Sequence, residues 1–279
     1  MSLATTERKY SEPCVRITLP TLNGAAWLGE SVLALCGDIG RKAPWPLSIC
    51  IADNGSTDET PAIADRLGRR FPNVSSIHLA QPGRGRALRM GWIGSESDVL
   101  CYMDVDLSTD PAHLPELAGA VASGQWDLAV GSRLMQSSQT SRGWRRDRLS
   151  RSYNSLLRSA FGVGFSDAQC GFKAISRRVA QSLLPLVEDN HWFFDTELLV
   201  IAEAAGCRIH DFPVRWTDHA ETSTVKIIPT IGQMLAGIVR LKRRLRNGLV
   251  VEARRRWVEA CHRDGVEPGP VPPQYRHLL

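Results

Sequence analysis

The strongest constraint in this sequence is an alternation. In its first half, short runs rich in branched and apolar residues (15–19, 47–52, 74–79, 99–103 and 128–130) alternate with segments of helical spacing (25–36, 59–71, 86–94 and 111–121). Each run is bounded by Pro, Gly, Asn or Asp, as strands are. Parallel strands need a crossover between them, so this order predicts an α/β domain with a mainly parallel sheet and helices on both faces. Ligands of such sheets bind beyond the carboxyl ends of the strands, which makes the residues just after each run the ones to read for function.

Those residues are polar in four successive cases. Pro20, Thr21, Leu22 and Asn23 follow the first run. Asp53-Asn54-Gly55-Ser56-Thr57-Asp58 follows the second, where Gly permits a tight turn and Ser56, Thr57 or Asp58 can cap the next helix. Capping does not require Asp53, whose carboxylate is free to accept a hydrogen bond from a base or ribose. The third junction, Gln81 to Ala87, is Gly-rich and carries Arg84 and Arg86 ahead of a helix N-terminus, a combination suited to phosphate or simply to a solvated basic turn. The fourth carries Asp104-Val105-Asp106, two hard oxygen ligands that fit Mg²⁺ or Mn²⁺ bridging a diphosphate, or else a helix cap with a solvated acid.

Four polar strand ends on one sheet edge look like a nucleotide-diphosphate cleft, and here the chain resembles glycosyltransferase family 2, enzymes of the GT-A fold. The resemblance runs on through Asp104 to Thr109, Gly131-Ser132-Arg133, Asp167 to Lys173 and Trp192-Phe193-Phe194-Asp195-Thr196-Glu197, and points to the polyprenyl-phosphate (dolichyl-phosphate) branch, especially its glucosyltransferase-like members. It covers roughly residues 14 to 245. It implies a metal-dependent, inverting transfer of a hexose from a nucleotide sugar, of UDP-glucose or GDP-mannose type, to a polyprenyl phosphate. Residue by residue, it assigns Pro20, Thr21, Asn23, Asp53, Gly83 and Arg84 or Arg86 to the nucleotide sugar, and Asp104 with Asp106 to Mg²⁺ or Mn²⁺ and the donor diphosphate. Arg133 is expected on the acceptor phosphate, with Lys173 beside it and Arg146, Ser150 and Asn154 reaching it from one helical face, unless that face is merely solvated. Asp167 is expected to position the sugar or act as an auxiliary base. Three departures stand out: Gly24 where relatives carry Glu, Asn54 in place of a second Asp, and Thr224 where a basic residue is usual, with Lys226 slightly beyond.

The second half has another rhythm. A polar loop (136–146) precedes a helix (147–161), a strand (171–175), a helix (194–205) and a strand (208–214); from residue 231 the chain is helical and basic. This divides it into a tail (1–13), a catalytic domain (14–230, with a nucleotide-sugar half to 133 and an acceptor half from 134), a basic amphipathic extension (231–263) and a flexible, Pro- and Gly-rich tail (264–279). Ile231, Leu235, Ile238, Leu241 and Leu245 fit either a helix lying on an anionic membrane surface or one packed on the domain. Trp192 to Phe194 fit core packing or a sugar pocket, and the histidines at 191, 210 and 219 lack metal-ligand spacing.

Composition adds exclusions. Lys and Arg number 34 against 29 Asp and Glu, a net charge of +5 that does not announce nucleic acid. No stretch approaches the roughly 20 apolar residues of a membrane span. The seven cysteines form no C-x-x-C pair and read as buried thiols. The expectation is a cytoplasmic protein, peripheral on the inner face of the cell membrane. Alternatives are a family 2 enzyme with a soluble or glycan acceptor and a non-catalytic membrane-associated protein of the same fold. A processive synthase is disfavoured because Q-x-x-R-W is missing, and a nucleotidyltransferase because Pro20 to Gly24 lacks G-x-G-x-R.

Overall fold

In the computed structural model, which describes residues 12–141, 143–218 and 227–279, the expected alternation is realised. The first half runs β1 (Val15–Thr21), α1 (Ala25–Ala34), α2 (Gly40–Lys42), β2 (Leu47–Asp53), α3 (Thr60–Arg70), β3 (Val74–His78), α4 (Arg84–Trp92), β4 (Val99–Met103), α5 (Leu114–Ala122) and β5 (Leu128–Ser132). The second half continues through β6 (Gln139–Ser141), α6 (Trp144–Phe161), β7 (Phe172–Ser176), α7 (Arg177–Ser182), α8 (Phe194–Ala205), β8 (Ile209–Pro213), β9 (Arg215–Thr217), α9 (Ile227–Arg244), α10 (Val250–Arg263) and α11 (Pro273–Arg276).

Seven strands form one sheet in the order β3-β2-β1-β4-β7-β5-β8. β4 and β5 are buried at every position, as strands covered on both faces must be, whereas the edge strand β3 exposes Ser75 and His78. One apolar core lies on each side of the sheet, the first built with α6 to α10 and the second with α1, α3 and α5. β7 is the exception to parallel order, pairing antiparallel with both β4 and β5. An antiparallel strand starts where its neighbours end, so the segment leading into β7 arrives at the carboxyl edge and faces the residues after β4. Within the loop expected at 136–146, β6 pairs with β9 in a small second sheet.

The C-terminal region settles the two alternatives left open for its helix in part. Met234, Ile238, Leu241 and Leu245 are buried in the core, while Ile231, Leu235 and Val239 remain exposed on a neighbouring stripe. The helix therefore packs on the domain and still presents an apolar face. The segment expected to be a flexible tail packs as well: Val271 and Tyr275 are buried, Gln274 donates to the Gly162 carbonyl at 3.0 Å, and Arg254 bridges the Ala205 and Gly269 carbonyls at 2.9 and 2.7 Å. Its Pro and Gly content reads as disorder, but buried Val271 and Tyr275, the bonds from Gln274 and Arg254, and an Arg178–Asp264 ion pair at 2.7 Å hold it. No helix among the described residues is long and apolar enough to cross a membrane, and the cysteines are free thiols.

Candidate active site

Loops after the first two strands are tied together by side chains. Asn23 adopts a left-handed conformation (φ 51°), which Asn tolerates; its side chain accepts the Thr57 N–H at 2.8 Å and its own N–H donates to Ser56 Oγ at 2.9 Å. A Cβ on neighbouring Gly24 would press on Thr21 Cγ2 at 2.5 Å, so this loop as folded accommodates Gly and not Glu.

The last residue of β2 and the one that follows it part ways. Asp53 is buried, accepting the Ser56 N–H at 3.1 Å and pairing with His78 Nδ1 at 3.1 Å. Asn54 lines the cleft instead and accepts the Gly83 N–H at 2.6 Å. The hydrogen bond from His78 to Asp65 raises the imidazole pKa, burial opposes this, and Asp53 adds to the rise.

At the start of α4, two amides expected to face phosphate are already used. Gly85 and Arg86 donate to the carbonyls of His191 and Asn190 at 3.3 and 3.1 Å. Gly83 and Gly85 permit this approach, since a Cβ would fall 2.5 Å from Asn190 O and 2.6 Å from Phe194 Cβ respectively. Arg86 turns back onto the carbonyls of Gln81 and Pro82 at 3.0 and 2.9 Å. Arg84 alone of this pair lines the cleft, 2.7 Å from Asp104 and 3.8 Å from Asp195, its guanidinium over the rings of Tyr102 and Trp192. Burial would lower its pKa, but the carboxylates of Asp104 and Asp195 outweigh this and keep it charged.

Asp104 and Asp106 both line the cleft. Asp104 lies against bare backbone: its N–H donates to Gly171 O at 3.2 Å, and a Cβ on Gly171 would run into its carboxylate. Asp106 accepts the Ser108 N–H at 3.0 Å across a turn in which Leu107 is left-handed (φ 50°). No group of three or more His, Cys, Asp or Glu that could hold a metal occurs among the described residues. Two carboxylates with room beside them suit Mg²⁺ or Mn²⁺, which take their remaining ligands from phosphate and water, and do not suit an all-protein cage. The residues present fit such an ion.

Just past β5, Arg133 forms a bidentate pair with Asp167, Nε to Oδ2 at 2.7 Å and Nη2 to Oδ1 at 3.0 Å, with the Arg133 and Gln169 N–H groups completing the carboxylate at 3.2 and 3.1 Å. Asp167 is wholly buried. Burial would raise its pKa, but Arg133 prevails and holds it below the usual carboxylate range. A carboxylate so saturated fixes Arg133 rather than accepting a proton. Arg146 lines the cleft paired with Asp218 at 2.7 Å. Asn154, third of the helical triplet, is buried and accepts the Ala168 N–H at 2.9 Å, bracing the Asp167 loop. Lys173 is buried too, 3.1 Å from the Tyr102 hydroxyl and 3.2 Å from Asp195.

The cleft, of about 610 Å³, thus brings together Pro20, Asn23, Gly83, Arg84, Asp104, Asp106, Arg133, Arg146 and Ser150. Thr21, Asp53, Arg86, Asn154, Asp167 and Lys173 stand outside its lining. Thr224 and Lys226 lie outside the described residues. Asn54, Tyr153, Gln169 and Trp192 also line it; of these, the sequence points to Asn54 as a departure from the family pattern, to Gln169 within the Asp167 to Lys173 motif and to Trp192 as core or pocket, and gives no sign of Tyr153.

The family model described as "Glycosyl transferase family 2" matches residues 17–184. The chain belongs to glycosyl transferase family 2. It is 39% identical over 220 residues to the glycosyltransferase AglD of Haloferax volcanii, covering 78% of this chain but only about a third (35%) of that relative's length. It is 29% identical over 229 residues to the dolichyl-phosphate beta-glucosyltransferase ALG5C of Trichomonas vaginalis, covering 80% of this chain and 67% of that one. With the polyprenol monophosphomannose synthase of Mycolicibacterium smegmatis it shares 31% over 209 residues, covering 72% and 77%. Among solved structures it resembles the glucosyl-3-phosphoglycerate synthase of Mycobacterium tuberculosis in complex with Mn²⁺, UDP-glucose and phosphoglyceric acid, with a TM-score of 0.61, 20% identity and coverage of 82% and 80%. The fold of this family 2 glycosyltransferase is accordingly GT-A.

Proposed function

We propose that the protein transfers a hexose, with inversion, from a nucleotide sugar to a polyprenyl phosphate at a membrane surface. One observation carries this reading: a single cleft is lined both by a carboxylate pair with Arg84 and by a fixed Arg133 with Arg146. Such a site suits two anionic substrates meeting head to head. The relatives named for dolichyl-phosphate and polyprenol-monophosphate chemistry support the acceptor class.

The acceptor explains why no strong base is offered. A phosphate monoester has a second pKa near about 6, so its oxygen is already anionic at neutral pH. That oxygen attacks the anomeric carbon, the bond from that carbon to the diphosphate oxygen breaks, and the nucleoside diphosphate departs with the electron pair. Arg133 and Arg146 hold the attacking phosphate, and Arg84 faces the departing diphosphate. A divalent ion held by Asp104 and Asp106 would supply charge neutralisation for that leaving group. Asp167 keeps Arg133 oriented, and Asn23, Pro20 and Asn54 border the nucleotide.

Ile231, Leu235 and Val239, spaced one helical turn apart and exposed, support contact with lipid. Ile231 and Met234 of the same helix line the cleft, so that surface borders the site. Incubating the protein with radiolabelled UDP-glucose or GDP-mannose, Mn²⁺ and polyprenyl phosphate in anionic vesicles tests the reading. Label entering the organic phase, sensitive to mild acid, is expected. Label transferred only to a soluble phosphate such as phosphoglyceric acid would reject the lipid acceptor.

A further inference from the structure

Glu197 lies in the first turn of α8 and is fully buried, its carboxylate included. One oxygen accepts the N–H groups of Glu188 and Asp189 at 3.1 and 2.7 Å, and the other accepts from Arg244 of α9. Arg244 also donates to the Leu186 carbonyl at 2.7 Å and lies 3.2 Å from the Glu188 carboxylate. One turn earlier, Arg240 pairs with Asp189 at 2.9 Å, and the other Asp189 oxygen accepts the His191 N–H at 2.8 Å. A second helix contributes as well: Arg89 of α4 donates to the carbonyls of Leu184 and Val187 at 2.9 and 2.7 Å. Residues 184–191 are thus gripped by three arginines from two helices.

The far end of that segment touches the donor site. The Asn190 and His191 carbonyls cap the first turn of α4, and the Trp192 ring lies under the Arg84 guanidinium, 5.2 Å away. Burial pushes the Glu197 carboxyl above its ordinary range despite the amides and Arg244, so loss of Arg244 would leave a poorly compensated carboxylate in the core.

We infer that Arg244, assisted by Arg240, is a positioning residue for the donor: it sets the 184–192 strap, and through it the turn at 83–87 and Arg84. A helix whose outer stripe is apolar and exposed is thereby an internal brace of the nucleotide end. The functional half of this inference rests on the proposed donor reading; the mechanical half does not.

The test is hydrogen exchange of the full chain, paired with titration of UDP and GDP in the presence of Mn²⁺ without acceptor. In Arg244→Ala, exchange is expected to rise in peptides covering 83–88 as well as 184–192, and nucleotide affinity to fall about tenfold. Arg244→Lys should recover part of the affinity, the acceptor KM should stay unchanged, and Arg243→Ala, on the exposed side of the helix, should match wild type. Arg240→Ala, whose ion pair is partly exposed, gives the same pattern at smaller amplitude should Arg244→Ala fail to fold. Unchanged exchange at 83–88, or wild-type nucleotide affinity in a folded Arg244→Ala protein, would overturn the inference. If wild type binds neither nucleotide, the donor reading and the functional half fall together, and the exchange pattern alone decides the brace.

Discussion

Two arginines line the cleft, each paired with a carboxylate, and the two pairs are built differently. Arg84 meets Asp104 through one contact at 2.7 Å, and the carboxylate is 27% exposed. Arg133 meets Asp167 through two, and that carboxylate is wholly buried. The first pair can exchange partners with whatever enters the cleft; the second cannot without stranding a charge in the core. A donor whose diphosphate must be gripped and then released suits the adjustable arginine. An acceptor phosphate that must be aimed at one carbon suits the fixed one.

The largest effect that would test this contrast lies in the exposed carboxylates. Asp106→Ala should reduce turnover by about a thousandfold with Mn²⁺ or Mg²⁺ supplied, and steady-state rates near wild type would remove the metal assignment. Next comes Asp167→Ala, which leaves Arg133 unpaired and should cost about 3 to 5 kcal/mol in urea unfolding; a loss below about 1 kcal/mol would make the two pairs equivalent. Arg133→Lys keeps the charge but not the fork. Its acceptor KM should rise about tenfold with the donor KM unchanged, and an equal rise in both would dissolve the division of labour between the two pairs. The smallest effect belongs to His78. Its folded pKa is raised, so its contribution to stability is fully present below the unfolded value of 6.5 and is lost as pH rises through the folded value. The Tm difference between wild type and His78→Gln should therefore narrow from acid to alkaline pH, and a constant difference would mean the imidazole does not titrate against Asp53 and Asp65.

Legibility in the sequence followed the same division. The parallel half could be read because each strand is a short apolar run and each polar end belongs to the carboxyl edge by topology. What could not be read was which of two adjacent residues faces the ligand. Asp53 and Asn54 differ by one position, and in extended chain that turns a side chain to the opposite face. The same uncertainty applies to Lys173, which β7 directs toward Tyr102 and Asp195. Contacts across 58 to 98 residues were beyond reach for another reason: Arg244 to Leu186 or Arg89 to Val187 depends on backbone carbonyls, which every residue possesses. Basic residues in α9 read as a surface charge run, although Arg244 is spent inward.

The close approach of Asp104 to Gly171 has a consequence for anyone wishing to recombine such enzymes. The Asp104 carboxylate comes from the first half of the chain, and the bare backbone that makes room for it comes from the second. The two halves are therefore not interchangeable cassettes. A chimera joined near residue 133 would have to inherit the acid and the glycine together, because a side chain at the second would evict the first.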